Sequence, residues 1–265
     1  MITHKNKKIK LVGVWSSNIQ KLYNLYYKSL KKYDNFFEIC LHKLDLKNFS
    51  SFGFGTDSWY EAGIQKLDFI TKNLKLLKPR ELLVFNDLDI QYLNPMNLFR
   101  VFNFIEDKKM DFCGIMEHDS NDYYEHYNGG YYILRNTPNV IKLIASIRDE
   151  LKINKPTFAD QDILNNFIHN ANIKHGFMPR EFFINGPHAP ITQEAIFHHA
   201  IYAGNVQDKL KQLRKIYAEH FKKKYYDSNN FVFGNEYGEL NKKGKGIKIK
   251  EGIYLNDPFT EKTFI

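Results

Sequence analysis

Residues 82–89 read Leu-Leu-Val-Phe-Asn-Asp-Leu-Asp, four apolar residues that give way abruptly to two carboxylates spaced i, i+2. A run this short with no polar alternation predicts a strand buried on both faces, which places it at the centre of a parallel sheet covered by helices. The carboxyl end of such a strand opens on the crevice where open α/β sheets bind their ligands. Asp87 and Asp89 therefore stand where paired carboxylates suit a hard divalent cation, Mg²⁺ or Mn²⁺, and such a cation can carry a diphosphate.

The flanking pattern supplies the rest of that sheet. Ile9 to Trp15 reads as a first strand, and Ser17-Asn18-Ile19-Gln20 as a capping box opening a helix with Ile19, Leu22, Tyr23, Tyr26 and Leu30 on one face. Phe36 to Leu41 is a second strand. Ser58-Trp59-Tyr60-Glu61 reads as another capping box, and Ile64, Leu67, Ile70, Leu74 and Leu77 continue it as a helix that Pro79 ends. This β-α-β-α-β order predicts an α/β fold, with a mainly parallel central sheet and helices on both faces. Phe112 to Met116 and Tyr131 to Leu134 add strands. Thr137-Pro138 caps a helix carrying Val140, Ile141, Ile144, Ile147 and Leu151. Asp160, itself an N-cap type, opens a helix to Ile168, and Val206 to Phe221 reads as a late amphipathic helix.

The Gly-rich fingerprints of dinucleotide-binding and P-loop proteins are missing, which disfavours a dehydrogenase or a P-loop ATPase. A chain of 265 residues suffices for one large α/β domain. Its net charge of +8 favours anionic partners. Much of that charge lies in Lys5-Asn6-Lys7-Lys8, Lys222-Lys223-Lys224 and Lys242-Lys243-Gly244-Lys245, which read as solvated faces or tails. Cys40 and Cys113 sit in apolar, strand-like runs and read as buried thiols, and no Cys/His zinc spacing occurs. Neither a signal-peptide pattern nor a membrane-length apolar stretch is seen, so the expected location is cytoplasmic.

Four motifs in order resemble those of the GT-A glycosyltransferases, specifically the nucleotide-diphospho-sugar transferase group. They are Asp87-Leu88-Asp89 running on to Leu93-Asn94-Pro95, Asn128-Gly129-Gly130 before an aromatic strand, Asp160-Gln161-Asp162, and His198-His199-Ala200. The resemblance spans about Ile9 to Leu213 and implies a GT-A fold, with a Rossmann-like nucleotide-binding half (about 1–110), an acceptor half (about 111–221) and a basic Gly/Lys-rich extension (222–265). It implies a nucleotide near Trp15 and Ser16, and Mn²⁺ or Mg²⁺ held by Asp87, Asp89 and His199, with His198 as the fallback ligand. It further implies Lys66 at a phosphate or the donor sugar, Asn128 and Gly129 against the sugar, and Asp160 and Gln161 at sugar hydroxyls beside the reacting centre. Lys209 or Lys211 would meet the diphosphate, with His188 a weaker candidate for the closing side. Leu88 departs from the group's usual small residue, and no acceptor-site pattern is recognisable.

The activity so implied is metal-dependent transfer of a sugar from a nucleotide-diphosphate donor, a UDP-sugar by inheritance from the group, to a glycan, protein or small-molecule acceptor. A non-catalytic module binding nucleotide-sugar or nucleic acid is the alternative, although two acids in a cleft oppose a nucleic-acid groove there. A sugar-nucleotide nucleotidyltransferase ranks lower, because no Gly-rich loop follows the first strand.

Overall fold

A computed structural model describes residues 8–31, 33–46, 56–117, 126–153, 159–203, 205–227, 247–249 and 253–255. Lys5-Asn6-Lys7 and Lys242-Lys243-Gly244-Lys245 lie outside them, as do the side chains of Lys222, Lys223 and Lys224.

The chain begins β1 (Ile9–Trp15), α1 (Gln20–Lys31), β2 (Phe37–Lys43), α2 (Asp57–Lys75), β3 (Leu82–Asn86). It continues β4 (Ile90–Tyr92), α3 (Leu98–Asp107), β5 (Phe112–Met116), β6 (Tyr127–Arg135), α4 (Pro138–Ile153), α5 (Asp160–Ile168). Then come β7 (His175–Phe177), β8 (Phe183–Asn185), β9 (Phe197–His199) and α6 (Val206–Asp227). The short strands β10 (Ile247–Ile249) and β11 (Ile253–Leu255) pair antiparallel near the C-terminus.

The main sheet has the order β2-β1-β3-β6-β5-β7. Pairing of β1 with β2 and β3, and of β5 with β7, is parallel, whereas β6 runs against both β3 and β5. Five strands thus point one way and β6 the other, the mainly parallel α/β sheet that the sequence predicts. The apolar run 82–85 has two buried faces because each face meets a separate core. Leu11, Val84 and Ile133 pack with α1 and α3 on one side, and Val12, Leu83, Phe85 and Leu134 pack with α2, α4 and α5 on the other.

Four local expectations are corrected. Thr56, not Ser58, caps α2, accepting the Trp59 amide at 3.3 Å. Ser17 opens a 3-10 turn rather than a capped α-helix. Ala159 holds the N-cap position of α5, and Asp162 reaches back to its amide at 2.9 Å, so Asp160 is freed for the site. The Cys40 thiol is half-buried, whereas Cys113 is buried. Thr137 does cap α4, as expected, with its hydroxyl accepting the Val140 amide at 3.3 Å.

A second, three-stranded sheet of order β4-β9-β8 lies beyond the carboxyl end of β3. Antiparallel pairing sets Ile90 opposite His199, and the Ala200 amide donates to the Asp89 carbonyl at 2.9 Å. Among the described residues, no helix is long and apolar enough to cross a membrane.

Candidate functional site

β3 delivers its two acids from a fixed end. The buried Asn86 side chain accepts hydroxyl hydrogen bonds from Tyr26 at 3.1 Å and Tyr92 at 3.0 Å, and the Asp87 amide donates to the Gly130 carbonyl of β6 at 2.7 Å. Leu88 forms part of the cleft wall between the two acids and is otherwise buried in the apolar core, where Gly13 leaves room for it.

Asp87, Asp89 and His199 converge. Their ligand atoms all lie within 4.8 Å of one another, with His199 Nε2 3.2 Å from Asp89 Oδ1. Two ligands at right angles around a cation, each at about 2.1 Å, would stand about 3 Å apart, so this spacing fits a shared hard metal ion. Asp89 Oδ1 is buried and faces His199 Nε2, an imidazole nitrogen that can serve as a metal ligand when neutral. Gly130 makes the approach of His199 possible, because any Cβ there would fall 2.5 Å from His199 Cε1.

The two carboxylates are driven apart electrically. Burial pushes Asp87 up to about 6, an effect opposed by Lys66 and reinforced by Asp89. Burial acts on Asp89 in the same sense, but His199 and the Lys209 ammonium outweigh it and hold that carboxyl below the usual range. Lys209, projecting from α6, forms an ion pair with Asp89 Oδ2. His198 faces the other way. Burial depresses it to about 3, and its Nε2 lies 3.3 Å from the Gln212 amide nitrogen of α6.

Lys66 is the second cation. It is 8 % exposed and lies 2.5 Å from Asp160 Oδ2 and 3.1 Å from the Gly129 carbonyl, with its ammonium 5.0 Å from the centre of the Phe85 ring. Burial disfavours its charge, but Asp160 and Asp87 overcome this and hold Lys66 above the ordinary lysine range. The Gly129 amide donates to Gln161 Oε1 at 2.7 Å, so the start of α5 is pinned to β6. The Asn128 amide nitrogen donates to Glu117, and its carbonyl oxygen accepts from Gly130 at 2.8 Å.

Trp15, Ser16, Lys66, Asp87, Asp89, Asp160 and Lys209 thus line one cleft of about 280 Å³. Gly129, Gln161 and His199 stand directly behind its wall through the contacts above, and Asn128 stands one residue further back. Lys211 instead pairs with Asp208 on the exposed side of α6, and His188 is exposed. The sequence reading missed Trp59, Gly63 and Leu151, which also line the cleft, and Glu117, which holds Asn128.

A family model described as nucleotide-diphospho-sugar transferase matches residues 23–213. No curated protein matches the chain. Among solved structures, a glycosyltransferase involved in glycosylation of the major capsid of PBCV-1 is 10% identical, with a TM-score of 0.57, over 78% of this chain and 98% of that one. The apo glycosyltransferase GlyE of Streptococcus pneumoniae TIGR4 is 12% identical, with a TM-score of 0.52, over 83% of this chain and 64% of that one. The apo bifunctional WbbM glycosyltransferase is 12% identical, with a TM-score of 0.51, over 84% of this chain and 52% of that one. At such identities the likeness is one of fold.

Proposed function

The chain belongs to the nucleotide-diphospho-sugar transferase family, with the GT-A glycosyltransferase fold, and on that premise we propose that it transfers a sugar from a UDP-sugar to an acceptor with the aid of Mn²⁺ or Mg²⁺. The observation that carries this reading is the convergence of Asp87, Asp89 and His199, whose ligand atoms all lie within 4.8 Å of one another. A divalent cation held there would offset the charge that develops on the departing diphosphate.

The charge balance of the cleft supports the same reading. Three carboxylates and two lysines line it, leaving about one negative charge, so the cleft alone repels a diphosphate. A dication reverses that sign and makes the cleft attractive to the donor, but only once the metal is in place.

The remaining residues take their roles from position. Trp15 and Ser16, at the carboxyl end of β1, are placed for the nucleoside, as ligand binding at the ends of parallel strands would have it. Lys209 is placed to exchange Asp89 for a diphosphate oxygen. Asp160 and Gln161, fixed by Lys66 and Gly129, are placed for hydroxyls of the transferred sugar. Their rigid mounting favours orienting the sugar before the anomeric bond breaks.

The test is calorimetric titration of UDP in Mn²⁺ and again in EDTA, with wild-type protein and Asp89→Asn. Binding is expected in Mn²⁺ alone and is expected to vanish in Asp89→Asn. UDP binding of equal strength in EDTA, or an unchanged affinity in the variant, would overturn the reading.

A further inference from the structure

Helix α2 presents a second face that the donor reading leaves without a role. Trp59, Ala62, Gly63 and Lys66 all line the cleft, and their spacing of i, i+3, i+4, i+7 is that of a single helical stripe. The stripe forks. Ala62 packs with Leu44, Leu46 and Val14, on the side of β1 and β2 where the nucleoside would lie. Gly63 instead faces α4, where a Cβ at that position would fall 2.9 Å from Leu151 Cδ2. Trp59 packs against the core cluster that contains Leu151, and it is half-buried. Trp59 and Leu151 thus both belong to the apolar wall of the cleft formed with α4, the helix that packs on α5 and so on the Asp160 side, apart from the Ala62 side where the nucleoside would lie.

Height along the helix decides what this wall can meet. As the connection from β2 to the parallel strand β3, α2 runs against the strands, so its N-terminal turn lies at the carboxyl end of the sheet. Seven residues separate Lys66 from Trp59, a rise of about 10 Å. The transferred sugar is expected beside the Lys66 ammonium and Asp160. Trp59, on the first turn of α2, lies further towards the carboxyl end of the sheet, on the outer side of that sugar.

We propose that Trp59, backed by Leu151, is the platform on which the acceptor stacks, and that the acceptor is a saccharide offering the C–H face of a pyranose ring. The negative face of an indole attracts such C–H groups, and the wall is apolar where a charged peptide acceptor would need counter-charges. This inference rests on the donor placement above.

The chain has two tryptophans, Trp15 and Trp59, so each can be made the sole indole reporter. Trp15→Phe leaves Trp59 and Trp59→Phe leaves Trp15, both in the full chain. Each is titrated with Mn²⁺ and UDP, then with methyl glycosides of glucose, galactose, N-acetylglucosamine and xylose. The platform predicts a saturable change in Trp59 emission with at least one glycoside and little with UDP. In Trp59→Leu, saturation-transfer NMR should find that glycoside bound roughly tenfold more weakly, with UDP affinity unchanged within about twofold. A Trp59 signal that follows UDP and ignores every glycoside would overturn the proposal by assigning the ring to the base. So would silence towards all the glycosides. Failure of the donor reading is read separately, as no response of Trp15 to Mn²⁺ and UDP.

Discussion

The imidazole of His199 fills the volume that a side chain on Gly130 would occupy: a Cβ at residue 130 would lie 2.5 Å from His199 Cε1 and 2.9 Å from Nε2. Only a bare backbone on β6 lets the ring reach Asp89. Gly130→Ala must displace the ring or bend the strand, and overpacking of this kind costs roughly 1–3 kcal/mol. Its Mn²⁺ affinity should fall roughly 10–100-fold, the usual cost of disturbing the groups that orient a metal ligand. Calorimetry with Mn²⁺, run beside urea unfolding, separates the two effects.

Lys66 and Asp160 depend on each other because both are largely out of water, with side chains 10% and 14% exposed. Lys66→Met leaves Asp160 and Asp87 without their cation and should destabilise the fold by about 3–5 kcal/mol. Adding Asp160→Asn removes one of the stranded charges and should recover part of that loss. Urea midpoints of the two single variants and the double variant give the coupling directly.

Lys209 should affect metal and nucleotide in opposite directions. Its ammonium sits on Asp89 and so competes with a cation for that carboxylate. Lys209→Met should bind Mn²⁺ alone at least as tightly as the wild type. It should bind UDP with Mn²⁺ more weakly by about 1.5–3 kcal/mol, the worth of one hydrogen bond from a charged group. Two calorimetric titrations, with and without the nucleotide, test the reversal.

Asp87, pushed up to about 6, sets a pH dependence. Metal binding needs the carboxylate, so below pH 6 a proton competes with the ion and the apparent Mn²⁺ affinity should fall by about tenfold per pH unit. Stability of the metal-free protein should respond in the opposite sense. An acid whose pKa is raised by folding stabilises the fold below its unfolded pKa, and that contribution is lost as pH rises through 6. Urea unfolding in EDTA at pH 5 and pH 7, compared with Asp87→Asn, isolates this contribution.

What could be read from the sequence was local. The β3 strand and its two acids are contiguous, and burial on both faces leaves a plain mark in composition. His199 is distant in sequence from Asp89, and a sheet register brings the two together; no spacing rule records that, so the residue entered only through resemblance. The ion pair of Lys209 with Asp89 was hidden for the same reason. Trp59 has no mark of its own in the sequence, because it borders the core stripe of Leu67 and Ile70 on α2 and packs with the same cluster, so its place at the cleft shows only in the fold. The caps failed at Ser58 and Ser17 because a serine marks a helix start only within a residue or two, and Thr56 offered the same chemistry first.

The tandem His198-His199 lies on β9, and a strand alternates its side chains with a period of two. Sliding β9 by one residue against β4 towards its carboxyl end would carry His199 out of the site and bring His198 in. An imidazole would then still face Asp89. The pair therefore keeps an imidazole at the proposed metal site after a single insertion in the connection leading to β9, whereas a single deletion would bring Ala200 there and erase it.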